Sequence, residues 1–154
     1  MEVSGRHPGC DFTIRRAVAN DYATLVELWQ RAGIKLEVSG RESEEAFCAQ
    51  LRFFPHLYLV AEASGQIVGV VLGTHDHRKG WISRLAVDPD HRRKGIATAL
   101  VTACERAIRG DGIQVVSALV EEDNAASAAL FERLGFHTLE VRYFRKTDGD
   151  AVQH

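Results

Sequence analysis

The sequence is poor in the residues that staple, kink or soften a chain: 154 positions hold three cysteines, three prolines and one methionine. Cys10, Cys48 and Cys104 are odd in number and far apart, which argues against a disulfide framework and offers no zinc-ligand pair. Cys48 and Cys104 fall within helical patterns and read as small buried thiols, so no nucleophilic cysteine is expected. No apolar run approaches the roughly 18 residues of a membrane helix, and the opening MEVSGRHPGC has no signal-peptide core, so the expected location is cytoplasmic. An excess of one charge is missing too: 19 Lys and Arg against 21 Asp and Glu leave a net charge of -2, which argues against nucleic acid or a membrane as the main partner.

What is present is ordinary globular composition, 45% hydrophobic and 26% charged. A domain of this size buries about 70% of its unfolded surface, enough for one core without staples. Residues 1–11 and 147–154 lack periodicity and are expected to be a flexible leader and tail around a single domain over 12–146. Phe12 to Arg16 alternates as a strand. Asn20 then caps a helix whose face is Tyr22, Leu25, Val26 and Trp29, and a second helix runs from Ser43 to Phe54, unless Ser39 to Glu42 forms the cap. Tyr58 to Ala63 and Ile67 to Leu72 form a hairpin about Ser64-Gly65-Gln66, and Trp81 to Val87 is a third β-favouring run stopped by Asp88-Pro89-Asp90. From Ile96 onward Leu100, Val101, Cys104 and Ile108 fall on one helical stripe. Gln114 to Val120 is a strand, Asn124 to Leu134 a helix stopped by Gly135, and Phe136 to Lys146 a last strand. The order βααβββαβαβ implies an α/β fold, a mixed, mostly antiparallel sheet flanked by helices.

The informative stretch is the junction between the third β run and the central helix. Arg92, Arg93 and Lys94 precede Gly95 at a helix N-terminus, which carries about half a positive charge and free N–H groups and so disfavours cations. The placement makes sense if an anion sits there, gripped by amides, dipole and side chains together, with Gly95 letting the backbone come close. The alternative is a solvated basic run neutralised by Asp88 and Asp90.

At these residues the chain resembles the GNAT superfamily of acyl-CoA-dependent N-acyltransferases. Arg92-Arg93-Lys94-Gly95-Ile96-Ala97 matches the (Gln/Arg)-X-X-Gly-X-(Gly/Ala) signature, and Asn124 leading to Leu130-Phe131 and Leu134-Gly135-Phe136 is similar to the family's closing segment. The resemblance implies acetyl transfer from acetyl-CoA to a primary amine by direct attack, with no metal. It also implies a diphosphate grip over Arg92, Arg93, Lys94, Gly95, Ile96, Ala97 and Thr98, main-chain contacts to the pantetheine arm from Leu85, Ala86 and Val87, and cofactor contacts from Phe131 and Asn124. The last doubles as a helix cap. Phe131 stands where the family often has a tyrosine acid, and a phenyl ring donates no proton. This leaves a second reading open, a non-catalytic acyl-CoA-binding module. Tyr143 or Tyr58 would have to replace the acid. Candidate bases are Glu62 and, at the end of the hairpin, His75, Asp76 and His77; the His75-X-His77 pair lacks a third metal ligand. Arg84 is a candidate for the acceptor side or for an acidic substrate, and Glu37, Glu42, Glu44 and Glu45 for attracting a cationic amine. An exposed sheet edge would permit a homodimer.

Overall fold

A computed structural model describes residues 3–7 and 10–149. Six strands form one sheet in the order of the chain: β1 Val3–His7, β2 Cys10–Arg16, β3 Tyr58–Ala63, β4 Gln66–His75, β5 Lys79–Val87 and β6 Val115–Ala118. The first four pairings are antiparallel, and β5 with β6 is parallel. Helices α1 Tyr22–Arg31 and α2 Glu44–Phe53 connect β2 to β3, α3 Ile96–Gly110 connects β5 to β6, and α4 Ala125–Arg133 follows β6.

The central strands read as continuous apolar runs because both of their faces are covered. Tyr58, Val60, Val70 and Leu72 point into a cluster with Leu25, Leu28 and Trp29 of α1 and Phe47 of α2. Leu59, Ala61 and Val71 alternate with them into a second cluster with Ile96, Leu100, Val101, Cys104 and Ile108, the stripe expected for α3. Packing of α3 is unusually close. A Cβ at Gly69 would meet Ile96 and Leu100 at 2.9 Å, one at Gly73 would meet the Cys104 sulfur at 2.7 Å, and one at Gly80 would meet Ile108 at 2.4 Å. These glycines form a seam in which the helix lies.

Three expectations change. The leader is not wholly outside the fold: Val3–His7 pairs with β2, from Val3 opposite Ile14 to His7 opposite Cys10. An edge strand needs only backbone donors and acceptors, so VSGRH carried no alternation to reveal it. Cys10 itself lies in β2. The last strand is absent from the sheet, since residues 136–147 belong to no strand and Leu139, Val141, Tyr143 and Phe144 are 69–85% exposed. Their alternation signals a strand only where one face finds a core to cover. Finally, Asn20 does not cap α1. A short 3-10 turn, Ala19–Asp21, intervenes, and the Asp21 carboxylate accepts from the Val18 amide at 2.8 Å and from Arg15 at 2.8 and 3.0 Å.

Candidate functional site

β5 divides two cavities. On one side is a groove of about 780 Å³ bounded by Leu85, Ala86 and Val87 of β5, the turn from His91 to Gly95, the first residues of α3, and the start and inner face of α4. On the other is a cavity of about 240 Å³ between β4–β5 and helices α1 and α2. A bulge makes the division. Val70 of β4 faces Ala86 and Leu72 faces Ser83, so Arg84 and Leu85 together stand opposite Val71. Arg84 takes a left-handed φ of +55°, which costs a non-glycine residue roughly 1–3 kcal/mol and persists only where the surroundings enforce it. Part of that enforcement is visible, as the Trp29 indole N–H donates to the Arg84 carbonyl at 2.9 Å. An extra residue in one strand leaves a main-chain amide outside the ladder, and the bulge puts it where the two cavities approach each other.

The groove has the character of an anion site. α2 is capped by the Ser43 hydroxyl, which accepts from the Ala46 amide at 3.1 Å, and α4 by Asn124, which accepts from the Ser127 amide at 3.1 Å. α3, the longest helix, begins at Gly95 with φ +78° and has no side-chain cap. Its first-turn amides and the helix dipole are therefore open to an outside acceptor. Arg92, Arg93 and Arg133 line the same groove, against one carboxylate, Asp123. His91, also on its wall, has a buried Nδ1 without a hydrogen-bond partner among the described residues. A multiply charged oxyanion with a long arm fits these donors.

The turn that presents them is anchored by Asp88. This buried carboxylate receives Arg31 at 2.7 Å and the Asp90 amide at 2.9 Å, while its own N–H donates to the Val68 carbonyl at 2.8 Å. Asp88 is thus engaged with α1 and its own turn, and the reading in which it neutralises the Arg92–Lys94 run is not supported.

The smaller cavity joins an aromatic wall to a charged edge. Tyr22 and Phe47 rings lie 5.5 Å apart, Phe47 and Tyr58 rings 5.6 Å apart. Burial pushes the Tyr58 phenol up to about 12. Glu42 receives Arg84 in a very close ion pair and the Arg41 Nε at 3.3 Å, and its second oxygen accepts from the Glu37 amide at 3.2 Å. The Tyr22 hydroxyl donates to the Glu42 carbonyl.

Of the residues expected to bind the cofactor, Leu85, Ala86, Val87, Arg92, Arg93, Gly95, Ile96, Ala97, Thr98 and Asn124 line the groove; Lys94 does not. Phe131 also does not. It is buried in the core edge-on to Phe136, with ring centroids 5.1 Å apart. The candidate catalytic residues are not brought together, and of them Tyr58 alone lines a cavity, the smaller one. Glu62 is paired with Arg15 at 2.8 Å. Tyr143 is 69% exposed. His77 lies beyond the end of β4, donating its amide to His75 Nδ1 at 3.0 Å. His75 in turn bonds through Nε2 to Asp111 at 3.0 Å, which also holds His56 at 2.7 Å. That arrangement ties the β4–β5 turn to the end of α3. Sequence reasoning missed His91, Ser127, Leu130 and Arg133 in the groove and Tyr22, Trp29, Phe47, Gln50, Thr74 and Ser83 in the smaller cavity. Most of these already served a helical or strand pattern, and nothing in a pattern shows that a core residue also borders a void.

The sequence profile of the acetyltransferase (GNAT) family matches residues 22–136. An acetyltransferase of Pectobacterium atrosepticum is 33% identical over 121 residues, covering 79% of this chain and 84% of its own. Among solved structures, the diaminobutyrate acetyltransferase of Paenibacillus lautus, in complex with its substrate and coenzyme A, is similar with a TM-score of 0.68 and 27% identity, over 82% of this chain and 75% of that one. A Salmonella typhimurium protein solved with its cofactor acetyl-CoA is similar with a TM-score of 0.68 and 26% identity, over 87% of each chain.

Proposed function

The chain belongs to the acetyltransferase (GNAT) family and transfers an acetyl group from acetyl-CoA to an amine; from that premise we propose which residues do the work. The groove takes acetyl-CoA. Its diphosphate lies against the amides of Ile96, Ala97 and Thr98 and the guanidinium groups of Arg92 and Arg93, and its arm runs along Leu85 to Val87. The cavity across β5 takes the amine. The observation that carries this reading is the uncapped start of α3, which opens with Arg92 and Arg93 onto a groove that continues to the bulged strand.

The chemistry follows from what lines the two cavities. The attacking nitrogen must be neutral, whereas an alkylammonium has a pKa near 10. Glu42 is committed to Arg84 and Arg41, and Tyr58 holds its proton up to about 12. Neither is a ready base, so the ammonium proton passes to water. Negative charge growing on the thioester oxygen is met by a bulge amide, already fixed in place. Phe131 donates nothing, and a thiol pKa of about 8.5 lets the thiolate leave and take its proton from solvent. The non-catalytic reading rested on Phe131. That side chain packs in the core, and the similar proteins carry acetyltransferase names.

Thiol release from acetyl-CoA with a panel of amines tests the proposal. Release that depends on the amine and falls at least tenfold in Gly95→Asp supports it; amine-dependent release unchanged by that substitution argues for a different acetyl-CoA site.

A further inference from the structure

We infer that the amine accepted is small and carries a carboxylate, read by Arg84 and Arg41 at the charged edge of the 240 Å³ cavity. The inference rests on the reading that this cavity takes the amine. Only three of the residues lining it carry a formal charge, Arg41, Glu42 and Arg84, and they sum to one positive charge. Glu42 cannot add attraction for a cation, because both its oxygens are engaged by Arg84, Arg41 and the Glu37 amide. A guanidinium has five N–H donors in a fork that matches a carboxylate. Among the described residues Arg84 donates to one side chain, that of Glu42. The surplus donors border a cavity that the Tyr22, Phe47 and Tyr58 rings also line. Size points the same way, since 240 Å³ lies below the roughly 300 Å³ at which sites for drug-sized ligands begin. The positive charges of a polyamine or an aminosugar would meet a positive edge.

Position supplies the link to the reaction. Arg84 is the bulge residue and Leu85, one residue on, already lines the groove. A carboxylate on Arg84 therefore leaves the amine of an amino acid within a few bonds of the point where the two cavities approach. There the neutral nitrogen attacks the thioester carbonyl carbon, the C–N bond forms and the C–S bond breaks. Of the two protons lost by the original ammonium, one ends on the coenzyme A thiol and one in water. The product is an N-acetyl amino acid, a monoanion.

The test uses the full chain saturated with acetyl-CoA, and alanine, β-alanine, phenylalanine and lysine, each as free acid and as carboxamide. Thiol release gives kcat/KM and calorimetry gives binding. At least one acid should exceed its carboxamide by tenfold or more, the size of a lost charge-assisted pair. That ratio should collapse toward one in Arg84→Gln and be partly restored in Arg84→Lys. Arg41→Gln, at a more exposed position, should lower the ratio even if Arg84→Gln fails to fold. Carboxamides turned over as well as the acids would overturn the inference and leave the transferase reading intact. Failure of every free acid to bind or react would overturn it as well. Acetyl-CoA binding then decides the rest, because saturation of the groove with turnover of some other amine keeps the transferase reading, and no binding at all removes it.

Discussion

Gly95 shows how much can depend on a missing side chain. Its φ of +78° suits glycine, and the lack of a Cβ leaves the start of α3 open. Gly95→Ala should cost about 1 kcal/mol in stability, from the left-handed backbone. The same change should weaken acetyl-CoA binding about tenfold by crowding the first-turn amides. Urea unfolding and calorimetric titration would separate the two effects. Tyr58 makes a different prediction. With no side-chain base in the cavity and a phenol that titrates only at about 12, kcat/KM should rise about tenfold per pH unit until the amine reaches its own pKa. It should show no descending limb up to pH 10; a bell centred near pH 7 would point to a base that has escaped notice. At this scale the sequence was legible where chemistry is local. The Arg92–Gly95 turn and Asn124 could be found because a helix start fixes what its neighbours do. Glu62 was misplaced because only the folded chain shows that Arg15 occupies it.

Elements set where those residues stand. α3 lies in a seam of Gly69, Gly73 and Gly80, and Gly80→Ala would drive a methyl against Ile108. That substitution should lower stability by about 1–3 kcal/mol, visible in a denaturant melt. It should also weaken acetyl-CoA binding, since the start of α3 moves with the helix. These glycines stand in the sequence without showing their purpose. A glycine on a strand says that something comes close without saying what. The bulge was hidden for a related reason: Ser83-Arg84-Leu85 has an unremarkable β pattern, and only the register of Val70 and Leu72 against β5 exposes the extra residue. Asp88 joins the elements, holding the turn before α3 to Arg31 at the end of α1. Asp88→Ala should therefore cost about 2 kcal/mol, as lost turn-capping and charge-assisted bonds do, and should loosen both cavities together.

The whole molecule is a sheet covered on both faces, with two cavities bordered by its bulged fifth strand. The hydrophobic stripes made that architecture readable, because burying both faces imposes periods of two and of 3.6 on the same chain. Its margins were not readable. β1 carries no alternation that could announce it, and beyond Phe136, which packs on Phe131, residues 137–147 carry an alternation that no core receives. The fold's response to acid is a property at this scale. Burial would raise the Asp21 carboxyl, but the Arg15 guanidinium and the Val18 amide outweigh it and hold the group below its ordinary value. A depressed carboxyl contributes stability above its unfolded pKa, near 3.9, and loses it as pH falls through the lower folded value. Stability should thus be level from pH 7 to about 5 and decline below about 4, with a shallower decline in Asp21→Asn. The central claim, that the open start of α3 and its two arginines grip the diphosphate of acetyl-CoA, is tested most directly by calorimetric titration of the double variant Arg92→Glu/Arg93→Glu beside the unaltered chain. The account predicts affinity lower by about a hundredfold with an unchanged unfolding transition; equal affinity in a folded double variant would contradict it.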